Sequence, residues 1–174
     1  QFIEPIGAPL STATIGVGQY LGGGGFALVG TGSLIGPDTV RISISQRHPE
    51  LVYIPPNVMQ QSILPGSRAA IEWSGTALGL DTVVASAPGY SPDTLLLYVT
   101  TPRYRVCPLP SAVRADQFAL MSLMPTDSTG TPHYLAAPAR AVVTSSDSTV
   151  LKLVSDTVRV LSEISCGGGD LRVV

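Results

Sequence analysis

The chain is poor in lysine, in charge and in aromatic rings. Among 174 residues the one lysine is Lys152, against nine arginines, and the net charge is −2. A nucleic-acid binder carries a basic patch or stripe, and no such run exists here. Charged residues are 13% and hydrophobic ones 44%, the reverse of the balance that keeps a chain disordered. Aromatics are 6%, so the core must be aliphatic. The longest apolar runs are short, as at residues 95–99, so no helix of this chain crosses a bilayer. Helical periodicity is also missing: no window of eleven residues without Gly or Pro keeps apolar positions at i, i+3, i+4 and i+7. The 18 glycines and 15 prolines follow no three-residue period, which excludes collagen.

What is present is alternation. Val40-Arg41-Ile42-Ser43-Ile44-Ser45 puts Val40, Ile42 and Ile44 on one face, and Ala69-Ala70-Ile71-Glu72-Trp73 does the same with Ala69, Ile71 and Trp73. Asp81-Thr82-Val83-Val84-Ala85-Ser86-Ala87 and Thr94-Leu95-Leu96-Leu97-Tyr98-Val99 are further strands. Gly36-Pro37-Asp38, Leu64-Pro65-Gly66-Ser67 and Pro88-Gly89-Tyr90-Ser91-Pro92 separate them, each with the fixed φ of Pro or the permissive φ of Gly that a reversal needs. Short strands with turn signals at this spacing predict a β-sandwich.

The second half repeats the first. Phe26-Ala27-Leu28 recurs as Phe118-Ala119-Leu120, and His48-Pro49-Glu50-Leu51-Val52-Tyr53-Ile54 through Asn57-Val58-Met59 recurs at an offset of 99 as Asp147-Ser148-Thr149-Val150-Leu151-Lys152-Leu153 through Asp156-Thr157-Val158. Each copy is expected to run strand, polar turn, short strand, turn, strand. The 7 extra residues of copy two fall around residues 125–133, which predicts a longer loop. Copy one continues 53 residues from position 48 to 101, whereas copy two has 27 from 147 to 174, so about 26 residues, two or three strands, have no counterpart. The expected fold is therefore all-β, two tandem sandwiches with the second incomplete at its C-terminal end. Residues 1–11 form an extended segment, 12–101 the first module and 102–174 the second. An unfinished sandwich leaves an open edge and an exposed core face, and both invite association.

Ser43-Ile44-Ser45, His48-Pro49-Glu50-Leu51-Val52, Val58, Pro65-Gly66-Ser67, the strand at 69–73, Gly79-Leu80-Asp81-Thr82-Val83 and Ala85-Ser86-Ala87-Pro88-Gly89-Tyr90 together resemble bacterial immunoglobulin-like repeats, the invasin/intimin-like (Big-type) group of exported and surface proteins. Thr144-Ser145-Ser146-Asp147-Ser148-Thr149-Val150 resembles the same pattern in copy two. The likeness covers roughly residues 26–101, with a fainter trace at 104–160, and departs at His48, where that group has Asp or Asn. It implies Ig-like Greek-key sandwiches strung end to end as stalks, adhesins or assembly modules, and no enzymatic activity.

Motifs that carry chemistry elsewhere have plainer readings here. His48 and His133 lie far apart, each beside proline; His48 is read as a turn residue and His133 as a solvated loop residue. Asp127-Ser128-Thr129-Gly130 differs by an inserted residue from the D-[ST]-G of aspartic proteases and has no second copy, so it is read as an Asx turn. No serine sits in a G-x-S-x-G elbow. Gly22-Gly23-Gly24-Gly25 precedes a strand and lacks Gly-Lys-Ser/Thr, so it is a kink or a close backbone approach, not a phosphate cradle. The aspartates show no D-x-D-x-D spacing, and neither calcium, another metal nor a cofactor is expected. Trp73 is read as a core residue of the first sandwich, with ligand stacking as the other reading.

Cys107 and Cys166 allow one pairing, which would close a loop of nearly sixty residues and contribute on the order of 4 kcal/mol. Two reduced core thiols are the alternative. Scarce lysine, abundant Ser and Thr and an even cysteine count suit an exported protein, periplasmic, cell-surface or extracellular. The start at Gln1, without methionine, suggests a removed leader or further residues upstream.

These readings lead to a non-enzymatic exported structural or interaction protein that contacts other protein subunits, of its own kind or another, through strand edges. The residues expected at the contact are Phe2, Ile3, Ile6 and Leu10 in the N-terminal segment and Leu171, Val173 and Val174 in the last strand. A filament in which residues 1–11 of one copy complete the second module of the next is one alternative. A carbohydrate-binding or accessory module is another. It needs an exposed aromatic platform, and Tyr20, Tyr53, Tyr90, Tyr98, Tyr104 and Tyr134 do not cluster in the sequence.

Overall fold

The computed structural model describes residues 2–3, 10–27, 39–64, 67–107, 119–149, 152–153, 156–160 and 171–173. They form β1 (Phe2–Ile3), β2 (Thr12–Gly16), β3 (Gln19–Ala27), β4 (Val40–Gln46), β5 (Val52–Tyr53), the helical turn α1 (Pro56–Met59), β6 (Gln60–Ile63), β7 (Arg68–Gly75), β8 (Gly79–Ser86) and β9 (Asp93–Thr100) in the first half. The second half holds β10 (Arg103–Val106), β11 (Ala119–Met121), β12 (Leu123–Thr126), β13 (Tyr134–Leu135), β14 (Ala139–Val142), β15 (Thr157–Val160) and β16 (Leu171–Val173). The chain is nearly all β, as its alternation requires.

Alternation translates directly into burial. In β4, Ile42 and Ile44 are buried while Arg41, Ser43 and Ser45 are exposed. In β7 the buried set is Ala69, Ile71, Trp73 and Gly75, and in β9 it is Leu95, Leu97 and Val99. Side chains of period two cannot all be covered by one sheet, so the sheets stack face to face. One sheet runs β1-β3-β7-β5, with β13 also on β3; the other runs β2-β9-β8-β4-β6. Every ladder is antiparallel except β2 on β9. Ile15, Ile42, Ile44, Val83, Leu95 and Leu97 from one sheet meet Val52, Ala69, Ile71 and Trp73 from the other in a single aliphatic core. Each fully buried Val, Leu or Ile there contributes roughly 1.5–3 kcal/mol.

Two local expectations are revised. The turn expected after the short strand is helical and the next strand starts at Gln60, because Pro56 opens a helical turn: its fixed φ suits a first helical position and its missing N–H costs nothing there. Val58 still points into the core, 7% exposed. The four glycines at 22–25 do not precede β3 but lie inside it, and the register against β7 shifts between Leu21 and Gly24, the bulge that glycine permits in a strand.

The second half is built differently. Its described strands pair only two by two, β10 with β12, β11 with β16 and β14 with β15, apart from β13 on β3. Among the described residues one small buried cluster there holds Leu135, Ala141 and Val160, with Leu123 and Ala139 packed against it. The exchange between β3 and β13 crosses the position where the sequence suggested a module boundary, so the end of the first sandwich is finished by residues 134–135.

The sheets join at a point with no spare volume. A Cβ on Gly75 would lie 2.6 Å from the Gly16 carbonyl oxygen and 2.9 Å from Val99 Cγ1. Gly75→Ala therefore overpacks the Gly16 backbone and the Val99 side chain and should cost about 1–3 kcal/mol, read as a lower urea midpoint at unchanged m.

Candidate functional site

Three features lie outside the first core: the joint between the halves, the strand edges, and a row of tyrosines. The joint begins where the chain leaves β2 for the opposite sheet. Val17 bridges Gly75, Val17 N donates to Thr100 O at 2.9 Å, and Gly18, at φ +73°, donates to Gly75 O at 2.8 Å. Gln19 then turns inward and is fully buried. Its Oε1 accepts from Gly16 N at 2.8 Å and its Nε2 donates to Thr126 O at 2.8 Å. Ala136 N donates to Gly18 O at 2.9 Å and Ser128 N to Thr100 Oγ1 at 3.3 Å, so the turn after β12 is tied to the end of the first sandwich.

Asp127 organises that turn. Its Oδ1 accepts from Thr129 N (2.8 Å), Thr129 Oγ1 (2.6 Å) and Thr131 N (3.0 Å), and its Oδ2 from His133 Nε2 at 3.2 Å. The Asx turn read from the sequence is there, but His133 is not solvated: it is 4% exposed beside an aspartate that is 1% exposed. Burial by itself would push the Asp127 carboxyl up; the donors from Thr129, Thr131 and His133 outweigh it and hold the group below the usual carboxylate range. An ionised Asp127 only accepts, which places the proton on His133 Nε2. A carboxylate so fully engaged and closed to solvent works as a structural clamp, not as a general base. Asp81 is its counterpart in the first half, taking His48 N (2.8 Å), Thr82 N (2.7 Å) and Gln46 Nε2 (3.0 Å). Leu51 N returns to His48 O at 3.0 Å, the reversal that places His48 in a turn.

The residues expected to meet a partner are placed as follows. Phe2 and Ile3 pair with Phe26 and Gly25 of their own chain, along the edge of β3 opposite β7. That edge needs hydrogen-bond partners, and the preceding segment supplies them. Leu10 packs against the first core. Leu171 and Val173 belong to β16, paired with Met121 and Ala119 of the same chain. Ile6 and Val174 lie outside the described residues. Trp73 is buried in the first core, 1% exposed, and its Nε1 has no acceptor. Cys107 is buried, no free cysteine occurs among the described residues, and Cys166 lies outside them, so the pairing is not seen. Among the described residues no three His, Cys, Asp or Glu side chains are grouped to hold a metal, and no helix is long and apolar enough to cross a membrane.

Exposed apolar side chains occur in both halves, with Leu64, Leu78 and Leu80 in the first and Val106 and Val142 in the second. All four residues of β10 are exposed, Val106 by 50%, and Val142 at the end of β14 by 73%.

The tyrosines are the feature that sequence reading missed. Tyr134 stands opposite Tyr20, Tyr20 opposite Ser74, and Ser74 opposite Tyr53, so β13, β3, β7 and β5 carry a row across one face. Trp73 faces the core, so its neighbour Ser74 and the row face outward. The Tyr134 and Tyr20 rings are 6.2 Å apart and tilted by 58°. Burial and a hydrogen bond to the Glu72 carboxylate push the Tyr20 hydroxyl above its ordinary value. Ser74, being small, leaves a cleft of about 210 Å³ bounded by Tyr20, Tyr53, Pro55, Glu72, Trp73 and Ser74. Tyr98 lies on the other sheet, Tyr104 on β10, and Tyr90 packs against the core.

No family model matches the chain, and no curated protein is similar to it; the likeness to Ig-like repeats rests on the residues quoted for it. Among solved structures, the chain is similar to domains 4–9 of the surface layer protein SbsC, at 13% identity and a TM-score of 0.44. It is also similar to the S-layer protein rSbsC(31-844), at 12% identity and 0.47, and to domains 5–6 of SbsC, at 12% identity and 0.45. Each match covers 94% of this chain, and respectively 28%, 20% and 78% of the other.

The clamp has a pH signature. Because the folded-state pKa of Asp127 is lowered, its contribution is present above the unfolded value near 4 and is lost as pH falls through the folded one. Acidification should loosen residues 126–136 ahead of the first core, seen as faster hydrogen exchange there. Asp127→Ala should cost about 2–3 kcal/mol at neutral pH and abolish that acid dependence.

Proposed function

We propose that the chain is a non-enzymatic, exported structural or interaction protein, built as Ig-like modules at 12–101 and 102–174 with residues 1–11 as an extended lead-in. Its role is to serve as an assembly or scaffold element, contacting other protein subunits by strand addition. The observation that carries this reading is a contrast among the described residues: two stacked sheets around one core, built from residues 2–100 with β13 added, and then two-stranded pairs with exposed β-branched residues at Val106 and Val142. Two-stranded ladders are marginal alone and gain from a third strand. Export is supported by composition, one lysine with many hydroxyl residues, and by the cysteine pair, which we assign to a Cys107–Cys166 disulfide.

Sedimentation velocity of the full chain over a range of concentrations tests the contact. Concentration-dependent association is expected, and Val106→Lys with Val142→Lys should reduce it at least tenfold by charging the strands that would pair. A strictly monomeric chain at every concentration removes self-assembly through these edges. Intact mass with and without reductant reads the disulfide, with the oxidised form about two mass units lighter.

A further inference from the structure

We propose that the tyrosine row on the outer face of β13, β3, β7 and β5 is a binding site for a neutral glycan, with one pyranose ring seated over Ser74 between Tyr20 and Tyr53. The site stands apart from the strand-edge reading, which uses other residues. Adjacent strands are about 4.8 Å apart, so Tyr20 and Tyr53, on the two neighbours of β7, rise about 9.6 Å from each other. Between them the row drops to a serine. The resulting space of about 210 Å³ is smaller than the roughly 300–1,000 Å³ of sites that enclose drug-sized ligands. It fits a single ring, and a longer ligand would continue over the open face toward Tyr134, which is 38% exposed.

The lining chemistry selects among ligands. A pyranose has an apolar C–H face and a rim of hydroxyls. The aromatic faces of Tyr20 and Tyr53 suit the first. The rim finds the phenol oxygens, Ser74 Oγ and the carboxylate of Glu72, which retains acceptor capacity after taking the Tyr20 hydroxyl. Hydroxyl partners that both donate and accept are what a polyhydroxylated ligand requires. A quaternary ammonium would use the rings and Glu72 but leave these hydroxyls without a role. The single charge lining the cleft is negative and no cation lines it, so acidic sugars are disfavoured.

Affinity electrophoresis of the intact chain through gels holding hydroxyethylcellulose, galactomannan, soluble starch or dextran tests the proposal, with alginate and polygalacturonate as acidic counterparts. Retardation by at least one neutral polymer is expected, stronger than by either acidic one. Tyr53→Ala should weaken it at least tenfold. Ser74→Leu should do the same with every tyrosine in place, by filling the gap, and Tyr98→Ala on the other sheet should leave it unchanged. Equal urea midpoints for the parent and Tyr53→Ala, whose side chain is half exposed, would show that the fold is kept. The proposal is overturned by no retardation in any neutral gel, by retardation that survives both Tyr53→Ala and Ser74→Leu, by equal or stronger retardation in the acidic gels, or by displacement with choline, which would make the rings a cation cage.

Discussion

The tight approach of Gly16 against Gly75 is the constraint on which the rest depends. β2 lies parallel to β9 in one sheet, yet after only two intervening residues the chain must start β3 in the other. Crossing the sandwich in so short a span brings the Gly16 carbonyl to within 2.6 Å of where a Cβ on Gly75 would sit. The absence of a Cβ at Gly16 has its own use, since the Gln19 amide fills that space. Through that amide the backbone of Gly16 is linked to the Thr126 carbonyl, which lies 107 residues from Gln19. Glycine here is thus a means of bringing three distant strands to one point, with Gln19 as the polar link between them.

Both buried aspartates serve the same end by the same means. Asp81 gathers the turn after β4 and Asp127 the turn after β12, each with both carboxylate oxygens engaged. A buried carboxylate is tolerated only when its lone pairs are met, and backbone N–H groups of a tight turn meet them at short range. The cost of burial is offset by fixing where the next strand begins. That is how a chain so poor in charge keeps long loops in register without a larger apolar core.

Parity was legible in the sequence and pairing was not. The alternation of 40–45 and 69–73 announced which residues of β4 and β7 point inward, and Trp73 sits in the core. Each tyrosine of the row also stood next to an inward residue: Gln19 before Tyr20, Val52 before Tyr53, Leu135 after Tyr134. What no window of sequence contains is that positions 20, 53, 74 and 134 are neighbours across four strands, because ladder contacts join residues tens of positions apart. Gln19 and His133 were missed for a related reason. A polar residue reads as exposed unless its partners are known, and theirs lie in another strand or across a turn. The helical turn at 56–59 was hidden because Pro-Pro is compatible with an extended turn as well as with a helix start.

The joint and the tyrosine face are two sides of one strand pair. Where β3 meets β13, Gln19 is paired with Leu135 and Tyr20 with Tyr134. On the inner side Leu135 belongs to the small core of the second half, while Gln19 holds Thr126; on the outer side the two phenols stand together. The sheet's pleat makes these arrangements inseparable, since a one-residue slip of β13 would carry Tyr134 inward and Leu135 out. The turn held by Asp127 and His133 fixes that register, because His133 immediately precedes Tyr134. The residues that hold the turn at the joint thus lead directly into the strand that carries Tyr134.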